Sequence, residues 1–345
     1  MNIVGSPPTG LPLSAGQYGR VSLQIEETSP GKHSGHIVLP WSRNESGWGT
    51  LRIPFGMVVN GNGPTALLTG ANHGDELEGA VALLDFYQSV DVNDIAGAVL
   101  LVPMLNYPAF LAGRRLSPID GGNMNRSFLG RSDGTLTEQI AHFVESELIE
   151  RAQAVLDIHS GGRTMMFHPF AVSHKLPCEL ASERARQALL AFGAPIGLVL
   201  EELDSRGMLD DAVESRGKLF LSTELGGGGS TTPDSLRIAR RGVHNFLAHL
   251  GILQADPVPA PQPTRLMTND ASGYLLSQEE GLIEYVADLG DIVNEGQTLA
   301  RLYDTRSLGG KPKALRAPAS GMLIGRLHGG LVRSGDFLAL IAIDL

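Results

Sequence analysis

Two residues in the segment TALLTGANHGDELEG have side chains that could bind a metal ion. His73 and Glu76 follow an apolar run at a spacing that lets an imidazole and a carboxylate reach one ion from the end of a strand. A lone His-x-x-Glu pair also occurs by chance, and a glutamate at a helix start complements the helix dipole. The pair therefore indicates a metal site only if a further ligand lies nearby.

His159 is the candidate for that further ligand, because it ends a second apolar run, AVLDIHSGG. Open α/β sheets bind ligands at the carboxyl ends of their strands, so both histidines are expected at one edge. Two histidines and one glutamate suit a single zinc ion and leave a fourth position for water, whereas magnesium and calcium prefer oxygen ligands. Asp157 could orient His159 by accepting a hydrogen bond. An ordinary polar role at a strand end stays open for both residues.

Glu224 ends a third apolar run, in KLFLSTELGGGG. A carboxylate beside a metal ion can take a proton from water and return it to a leaving amine. The four glycines are expected to let the backbone approach a bound ligand closely. The alternative is a surface glutamate beside a flexible turn, but the strongly apolar strand favours a catalytic role.

The segment AGRRLSPIDGGNMNRSFLG contributes candidates for substrate binding, namely Arg114, Arg115, Asn125 and Arg126. An arginine can bind a carboxylate with two parallel hydrogen bonds or stabilise an oxyanion near a metal. Arg163 is a further cation that could serve a substrate with an additional carboxylate. Each arginine taken alone would be interpreted as a solvated surface charge.

Apolar runs alternate with helical patterns between residues 50 and 250, which predicts an α/β sheet with covering helices. The predicted strands are 51–59, 65–69, 99–103, 154–158 and 219–223. The predicted helices are 76–88, 135–151, 178–192 and 233–250, the last with Thr231 or Thr232 as its N-cap. These elements place His73, His159 and Glu224 where a strand ends.

The proline-rich segment DPVPAPQPT predicts a domain boundary. We expect a catalytic domain over 1–255 with an N-terminal β segment, a linker over 256–267 and a small all-β domain over 268–345. The two similar segments GDIVNEGQTLARL and GGLVRSGDFLALI resemble the halves of biotinyl and lipoyl carrier domains, which have a barrel-sandwich fold. A carrier would use Lys311 or Lys313, but neither has the flanking residues typical of carriers, so a lid or assembly role is favoured.

Composition excludes several classes of protein. The formal net charge is -10 and no cluster of Lys or Arg occurs, which argues against a nucleic-acid partner. The single cysteine, Cys178, excludes an intramolecular disulfide and is expected to be a buried thiol. The first residues lack a basic leader and no run of 18 apolar residues follows, so we expect a cytoplasmic protein without a membrane partner. A homodimer stays an open alternative.

Four ordered segments, GANHGDE, SPIDGGNMNRSF, DIHSGG and STELGGGG, resemble the succinylglutamate desuccinylase and aspartoacylase family of the zinc carboxypeptidase superfamily. The resemblance implies a zinc-carboxypeptidase-like mixed sheet with covering helices, followed by the barrel-sandwich-like domain. It also implies roles for individual residues: zinc ligation by His73, Glu76 and His159, proton transfer by Glu224, carbonyl polarisation by Arg115 or its neighbour Arg114, and carboxylate binding by Asn125 and Arg126. Asn123 and Leu129 depart from the acidic residue and the proline that are common in the family.

The predicted reaction is removal of an acyl group from a small N-acyl amino acid. The upstream segment beginning LPWSRNESGWG resembles the branch of N-alpha-acetyl-2,4-diaminobutyrate deacetylases of ectoine degradation. An acidic segment could supply a counter-charge for a cationic side chain; its carboxylates are Glu201, Glu202, Asp204, Asp210 and Asp211. The alternatives are a deacylase of dicarboxylic substrates such as N-acetylaspartate or N-succinylglutamate, a metallocarboxypeptidase and, outside the enzymes, a lipoyl-like carrier or binding module.

Overall fold

The computed structural model describes residues 21–25, 30–200, 206–269 and 271–345. Within them the helices are α1 (Glu78–Ser89), α2 (Tyr107–Ala112), α3 (Leu136–Phe143), α4 (Glu179–Phe192), α5 (Leu209–Glu214) and α6 (Pro233–His249). The strands up to α6 are β1 (Ser22–Ile25), β2 (Gly31–Pro40), β3 (Thr50–Asn60), β4 (Thr65–Gly70), β5 (Gly97–Val102), β6 (Ala154–His159), β7 (Met165–Phe167), β8 (Phe170–His174), β9 (Ile196–Leu200) and β10 (Leu219–Glu224). Those after α6 are β11 (Arg265–Thr268), β12 (Tyr274–Leu276), β13 (Gly281–Tyr285), β14 (Ile292–Val293), β15 (Thr298–Tyr303), β16 (Lys313–Arg316), β17 (Gly321–Leu327), β18 (Leu331–Val332) and β19 (Phe337–Asp344).

The main sheet is mixed, as predicted, and its centre is parallel. β5, β4, β6 and β10 lie side by side in that order, and each runs parallel to its neighbour. The antiparallel strands β1, β2 and β3 extend one side, and β8 pairs antiparallel with β10 on the other. The carboxyl ends of β4, β6 and β10 therefore meet at one edge of the sheet.

Alternating apolar residues cover both faces of these central strands. On one face Leu68, Leu156 and Leu221 pack with the helices α1, α4 and α6. On the opposite face Leu67, Val155 and Phe220 pack with α3 and α5. A strand that is buried on both faces appears in the sequence as a continuous apolar run, which is why these strands were predictable.

The predicted helices are present with small differences at their ends. α1 begins at Glu78 and not at Glu76, and the helical segment predicted over 135–151 contains α3 followed by a π-helix, Val144–Ile149. Thr232 is the N-cap of α6, because its side chain accepts a hydrogen bond from the backbone N–H of Ser235 at 3.0 Å. The prediction missed β8 and β9, whose short runs of five residues carry little periodicity.

The proline-rich segment contains neither helix nor strand between residues 256 and 264, and it is attached to α6. Asn245 donates to the carbonyl oxygen of Val258 at 2.9 Å and accepts from its N–H at 2.7 Å. β11 then begins at Arg265, within the predicted linker, and pairs with β9 on one side and β19 on the other. Because the main sheet continues across this point, the division into two domains stays a prediction.

The two similar segments of the C-terminal region form two equivalent sets of strands. β13, β14 and β15 make up one set, and β17, β18 and β19 make up the other. The short strand of each set pairs with the first strand of the opposite set, so that β14 pairs with β17 and β18 pairs with β13. Gly296 and Gly335 occupy matching turns with positive φ angles of 78° and 91°, a conformation that glycine adopts without steric cost. The predicted all-β, barrel-sandwich-like arrangement is confirmed.

The prediction of a buried thiol at Cys178 is wrong. Cys178 is exposed and is the N-cap of α4. The residue directly after Pro177 starts a surface helix, so its side chain faces solvent. Among the described residues, no helix is both long enough and apolar enough to cross a membrane.

Candidate active site

The structure brings the three predicted ligands together at the edge formed by β4 and β6. One side-chain ligand atom from each of His73, Glu76 and His159 lies within 4.8 Å of the others, and all three residues are buried. His73 Nδ1 is 2.7 Å from Glu76 Oε1, and His159 Nδ1 is 2.7 Å from Glu76 Oε2. Both imidazoles thus face the Glu76 carboxylate with their Nδ1 atoms.

The turn after β4 positions His73 and Glu76. Glu76 N–H donates to the carbonyl oxygen of His73 at 3.2 Å, which closes the turn before α1 begins. Gly74 lies against the backbone of α2, where an added Cβ atom would be 2.0 Å from the carbonyl carbon of Ala109. Only glycine allows this close approach, so a larger residue at this position would push the turn away from α2.

The remaining nitrogen of each histidine faces an acceptor. His159 Nε2 is 2.7 Å from Asp157 Oδ2, and His73 Nε2 is 3.2 Å from Asn123 Oδ1. An Nε2–H group that donates to such an acceptor leaves Nδ1 unprotonated and able to bind a metal ion. Asp157 thus has the position predicted for it, and Asn123, a departure from the common family pattern, contacts a ligand.

Asp157 is itself held by two polar side chains. Thr69 Oγ1 donates to its Oδ1 at 2.7 Å, and Asn72 Nδ2 donates to its Oδ2 at 2.8 Å. Asn72 Nδ2 also lies 3.2 Å from Asn125 Oδ1, so one amide connects the ligand histidine with the predicted substrate-binding segment. All four residues are buried, and such networks fix side-chain orientation.

Burial and the charges of neighbouring residues have opposite effects on the pKa values of these residues. Burial alone would raise the pKa of Glu76, but the neighbouring His73 and His159 outweigh it and hold that pKa well below its usual range. Burial lowers the pKa of His73, and Glu76 offsets only part of this effect. At His159 burial is outweighed by Asp157 and Glu76, so its pKa is raised well above the usual value. The two carboxylates therefore favour a positive charge at this position.

These residues fit a divalent transition-metal ion. Two unprotonated imidazole nitrogens and a carboxylate oxygen are the ligands such ions use in hydrolytic sites. A cation bound at His159 Nδ1 would replace the proton that the two carboxylates favour there, because metal binding releases protons from its ligands. The donor set would then leave at least one coordination position for water or substrate.

Glu224 lies beside His159, at the end of β10. The two residues are direct partners in the parallel pairing of β10 with β6. Glu224 is partly buried, while its Oε2 atom is fully enclosed and has no hydrogen-bond partner among the described residues. Burial, and after it the negative charge of Glu76, raises the pKa of Glu224 to about 8. A carboxyl group with these properties is suited to exchanging protons.

The glycines after Glu224 have a different role from the one expected. The carbonyl oxygen of Gly226 accepts hydrogen bonds from Gly161 N–H at 3.1 Å and Phe167 N–H at 3.0 Å. At Gly227 an added Cβ atom would lie 2.1 Å from the carbonyl oxygen of Met165. The close approach is therefore to the segment that follows His159, and not to the cavity described below.

The four candidate arginines are placed differently. Arg115 is half-exposed and its Nη1 lies 3.4 Å from Glu76 Oε1. Arg126 is exposed, borders the cavity and donates from Nη1 to the carbonyl oxygen of Asn125 at 2.7 Å. Arg114 and Arg163 are exposed and do not line the cavity, although the backbone N–H of Arg163 donates to Asp75 Oδ2 at 2.9 Å. Of the pair that sequence could not separate, Arg115 is the one that the structure brings to the candidate metal ligands.

A cavity of about 320 Å³ opens beside the ligands, which is near the lower limit for small-molecule sites. Its polar side includes His159, Glu224 and Asn125, whose Oδ1 accepts from Leu209 N–H at 3.0 Å. Four side chains from the C-terminal region form part of its apolar wall, namely Tyr274, Leu276, Phe337 and Leu340. The C-terminal region thus restricts the space beside the candidate metal ligands.

Of the two carboxylates of the predicted acidic segment that the structure describes, one lines the cavity. Asp210 is buried in its wall, whereas Asp211 is exposed. Glu201, Glu202 and Asp204 lie outside the described residues. Burial raises the pKa of Asp210 to about 6, although the nearby His174 opposes the effect.

Sequence reasoning missed Asn72 and the C-terminal wall. Asn72 directly precedes His73 in the GANHGDE segment. Its position beside a candidate ligand could therefore have indicated that it belongs to the site. Tyr274 and Phe337 gave no signal, because they are far from the other site residues in the sequence and carry no metal-binding group.

The mixed sheet, the buried His-Glu-His group and the adjacent carboxyl group together define the class of metal-dependent hydrolases with an α/β fold. Residues 62–250 match the family model described as succinylglutamate desuccinylase/aspartoacylase catalytic domain. The chain therefore belongs to the succinylglutamate desuccinylase/aspartoacylase family. The predicted family and the predicted enzyme class, a hydrolase acting on a linear amide, are confirmed.

Similar proteins cover nearly the whole chain. An N-alpha-acetyl-L-2,4-diaminobutyric acid deacetylase from Halomonas elongata is 46% identical over 93% of this chain and 94% of its own length. A product-bound structure of the ectoine utilization protein EutE (DoeB) from Ruegeria pomeroyi is 43% identical, with a TM-score of 0.91 over 95% of this chain and 100% of that chain. A succinylglutamate desuccinylase/aspartoacylase structure from Rhodobacter sphaeroides is 34% identical, with a TM-score of 0.90 over the same shares of the two chains.

Proposed function

We propose that this protein hydrolyses the amide bond of N-alpha-acetyl-2,4-diaminobutyrate, releasing acetate and 2,4-diaminobutyrate. The observation that carries the proposal is the buried His73, Glu76 and His159 group, whose two histidines line one small cavity together with Glu224. Identity of 46% with a deacetylase of that substrate over most of both chains supports the choice of substrate. Fold alone would leave the substrate open, because one fold hosts many activities.

The proposed cofactor is one zinc ion per chain, held by His73 Nδ1, the Glu76 carboxylate and His159 Nδ1. When bound, zinc lowers the pKa of a water molecule and withdraws electron density from the substrate carbonyl. Asp157 and Asn123 accept hydrogen bonds from the two Nε2–H groups and so keep the imidazoles in the tautomer that binds metal.

Glu224 is proposed to move the proton. Its carboxylate takes a proton from the attacking water and passes it to the leaving amine nitrogen, so that the amine departs uncharged. Burial and, after it, the negative charge of Glu76 raise the pKa of Glu224, and a cation on Glu76 would offset the second of these effects. The pKa of Glu224 would then fall from about 8 towards the pH at which a base is effective.

Polar groups around the cavity are proposed to bind the rest of the substrate. Arg115, whose Nη1 is 3.4 Å from Glu76, can donate to the oxygen that becomes negative when water attacks the carbonyl. The guanidinium of Arg126 and the amide nitrogen of Asn125 can donate to the substrate α-carboxylate. The oxygen of Asn125 already accepts two hydrogen bonds, which fixes the side chain with its nitrogen as the remaining donor.

A metallocarboxypeptidase would use the same chemical groups on a longer substrate. The apolar wall from the C-terminal region favours a small substrate, because Tyr274, Leu276, Phe337 and Leu340 occupy space beside the cavity that a peptide would need. We therefore favour an acyl amino acid over a peptide.

The test is a comparison of kcat/KM for N-alpha-acetyl-2,4-diaminobutyrate, N-acetylaspartate, N-succinylglutamate and a C-terminally unblocked peptide, using zinc-reconstituted protein. We expect the acetylated diamino acid to be preferred, and its C-terminal amide to be a poor substrate because Arg126 then lacks a carboxylate to bind. A clear preference for either dicarboxylate would contradict the proposed substrate. Hydrolysis of the peptide at a comparable rate would contradict the proposed class of reaction.

A further inference from the structure

Asp210 is a carboxylate in the cavity wall for which the proposed hydrolysis has no use. It belongs to the first turn of α5, is only 5% exposed and borders the same cavity as His159 and Glu224. Its Oδ1 accepts the backbone N–H of Asp211 at 2.5 Å, which fixes the carboxylate relative to the helix. A carboxylate this far from solvent is costly unless a positive charge compensates it.

The imidazole that faces Asp210 is shared with a second carboxylate. His174 Nε2 lies 4.0 Å from Asp210 Oδ2, beyond hydrogen-bond distance, and His174 Nδ1 lies 3.0 Å from Glu214 Oε1. The two carboxylates thus share one imidazole, so the group carries a net negative charge even when His174 is protonated. Burial raises the pKa of Asp210 to about 6, and the charges of His174 and His159 oppose this effect only in part.

The arginines of the cavity make their hydrogen bonds with other groups. Arg115 contacts Glu76, and Arg126 donates to the carbonyl oxygen of Asn125. In the proposed function these two cations bind the carbonyl oxygen and the α-carboxylate of the substrate. Asp210 thus lines the same cavity as these two cations, but among the described residues it forms no ion pair with either of them.

We propose that Asp210 is a specificity-determining residue that binds the side-chain ammonium group of the substrate, with His174 as the positioning residue behind it. This inference rests on the proposed function and assigns the selection of side-chain charge to one carboxylate. A substrate ammonium compensates the buried charge of Asp210, whereas a neutral side chain leaves it without a partner and an anionic one is repelled. His174 stacks on Phe220 with an angle of 9° between the rings, which holds the imidazole in place.

The test compares two substrates that differ only in charge. N-alpha-acetyl-2,4-diaminobutyrate ends in an ammonium group, and N-alpha-acetylnorvaline has a methyl group at the same position. Asp210→Asn is measured with both, and Asp211→Asn is the matched control, since it removes the same charge from an exposed position in the same helical turn. Hydrolysis of N-alpha-acetylnorvaline also shows whether each variant has a folded, metal-loaded site.

We expect wild type and Asp211→Asn to prefer the ammonium substrate by at least about tenfold in kcat/KM, as for a desolvated charge pair. Asp210→Asn should lower kcat/KM for the ammonium substrate by about 100-fold. It should change kcat/KM for N-alpha-acetylnorvaline by less than about threefold. Asp210→Glu, which keeps the charge, should retain more of the preference than Asp210→Asn.

Several outcomes would overturn the inference. If either Asp210 variant lost a similar factor of kcat/KM on both substrates, Asp210 would support the fold or the chemistry and would not select the substrate by its side-chain charge. An unchanged preference in Asp210→Asn would place the ammonium site elsewhere. If wild type hydrolysed neither acetyl substrate, the proposed function would fail first. If it hydrolysed both equally well, the proposed reaction would stand and only the role of Asp210 would be wrong.

Discussion

Glu224 lies directly opposite His159 in the pairing of two neighbouring parallel strands. Paired residues of a sheet point to the same face, and their strands are about 4.8 Å apart, so the backbone itself holds the carboxyl group beside the imidazole. Glu76 approaches the same histidine from the turn after β4. The distance between the candidate base and the candidate ligands therefore depends on sheet geometry and not on a mobile loop.

Glu224→Gln should separate metal binding from catalysis. Glutamine has nearly the same shape but cannot accept a proton from water, so we expect kcat to fall by about 10²–10⁴-fold. Metal content should be unchanged, because Glu224 is not one of the three ligands. Single-turnover rates and elemental analysis of the same preparation check both points. A turnover number near that of wild type would assign the proton transfer to another group.

Removal of the metal should abolish activity. Dialysis against a chelator is expected to inactivate the protein, and zinc should restore turnover at one ion per chain. His159→Ala should lose both metal and activity, because it removes one of three ligands and leaves Glu76 and Asp157 facing an empty position. Full metal content and full activity in His159→Ala would show that the assigned ligand set is wrong.

Asp157→Asn should weaken metal binding without removing a ligand. The carboxylate faces His159 Nε2 at 2.7 Å, and its loss is expected to reduce metal affinity by about 10–100-fold, as for other partners of ligand histidines. Competition with a chromogenic chelator gives the affinity. Asp211→Asn, an exposed carboxylate away from the ligands, is the control. Equal affinities of Asp157→Asn and wild type would leave Asp157 with a structural role only.

Three residues of the candidate site could be located from sequence because each of them follows an apolar run. His73, His159 and Glu224 stand where β4, β6 and β10 end, and buried parallel strands are visible in a sequence as continuous apolar segments. Their convergence could also be expected, since parallel strands end at one edge. The spacing of Glu76 from His73 also made it a candidate ligand, and the family segments supported that role, which the local pattern alone could not decide.

The remainder of the site depends on contacts that no local pattern carries. Tyr274 and Phe337 reach the cavity because β12 and β19 pair with each other and β19 joins the main sheet through β11. Such long-range pairing leaves no periodic signal near His73 or Glu224. The direction of an arginine side chain is equally hard to predict from sequence. Arg163 is an example, because it is close to His159 along the chain but does not line the cavity.

Arg115 and Arg114 are neighbours in the sequence that should respond differently to substitution. Arg115 contacts Glu76 and borders the cavity, whereas Arg114 is exposed outside it. Arg115→Ala is expected to lower kcat by about 10²–10³-fold, the usual effect of removing one donor to a developing oxyanion. Arg114→Ala should stay within about threefold of wild type, as for a surface charge. Steady-state kinetics of both variants decide between them, and the reverse pattern would exchange their roles.

The stability of the metal-free protein should depend on pH through Glu224. Its pKa is raised to about 8 in the folded protein, so above the normal pKa of a glutamate the folded state binds more protons than the unfolded state. The free energy of unfolding therefore falls as the pH rises from about 4.5 to about 8, with a slope of at most about 1.4 kcal/mol per pH unit from this group. Glu224→Gln removes this contribution, since glutamine does not ionise.

Urea unfolding of chelator-treated wild type and Glu224→Gln between pH 6.5 and pH 8 measures this effect, in a range above the pKa of about 6 of Asp210. The stability of the variant relative to wild type should increase steadily over that range. The free energy of unfolding of Asp211→Asn, which removes an exposed charge, should change with pH in parallel with that of wild type. Saturating zinc should reduce the difference, because a cation on Glu76 offsets the charge that disfavours ionised Glu224. Parallel curves for wild type and Glu224→Gln in the metal-free state would mean that the pKa of Glu224 is not raised by burial and Glu76.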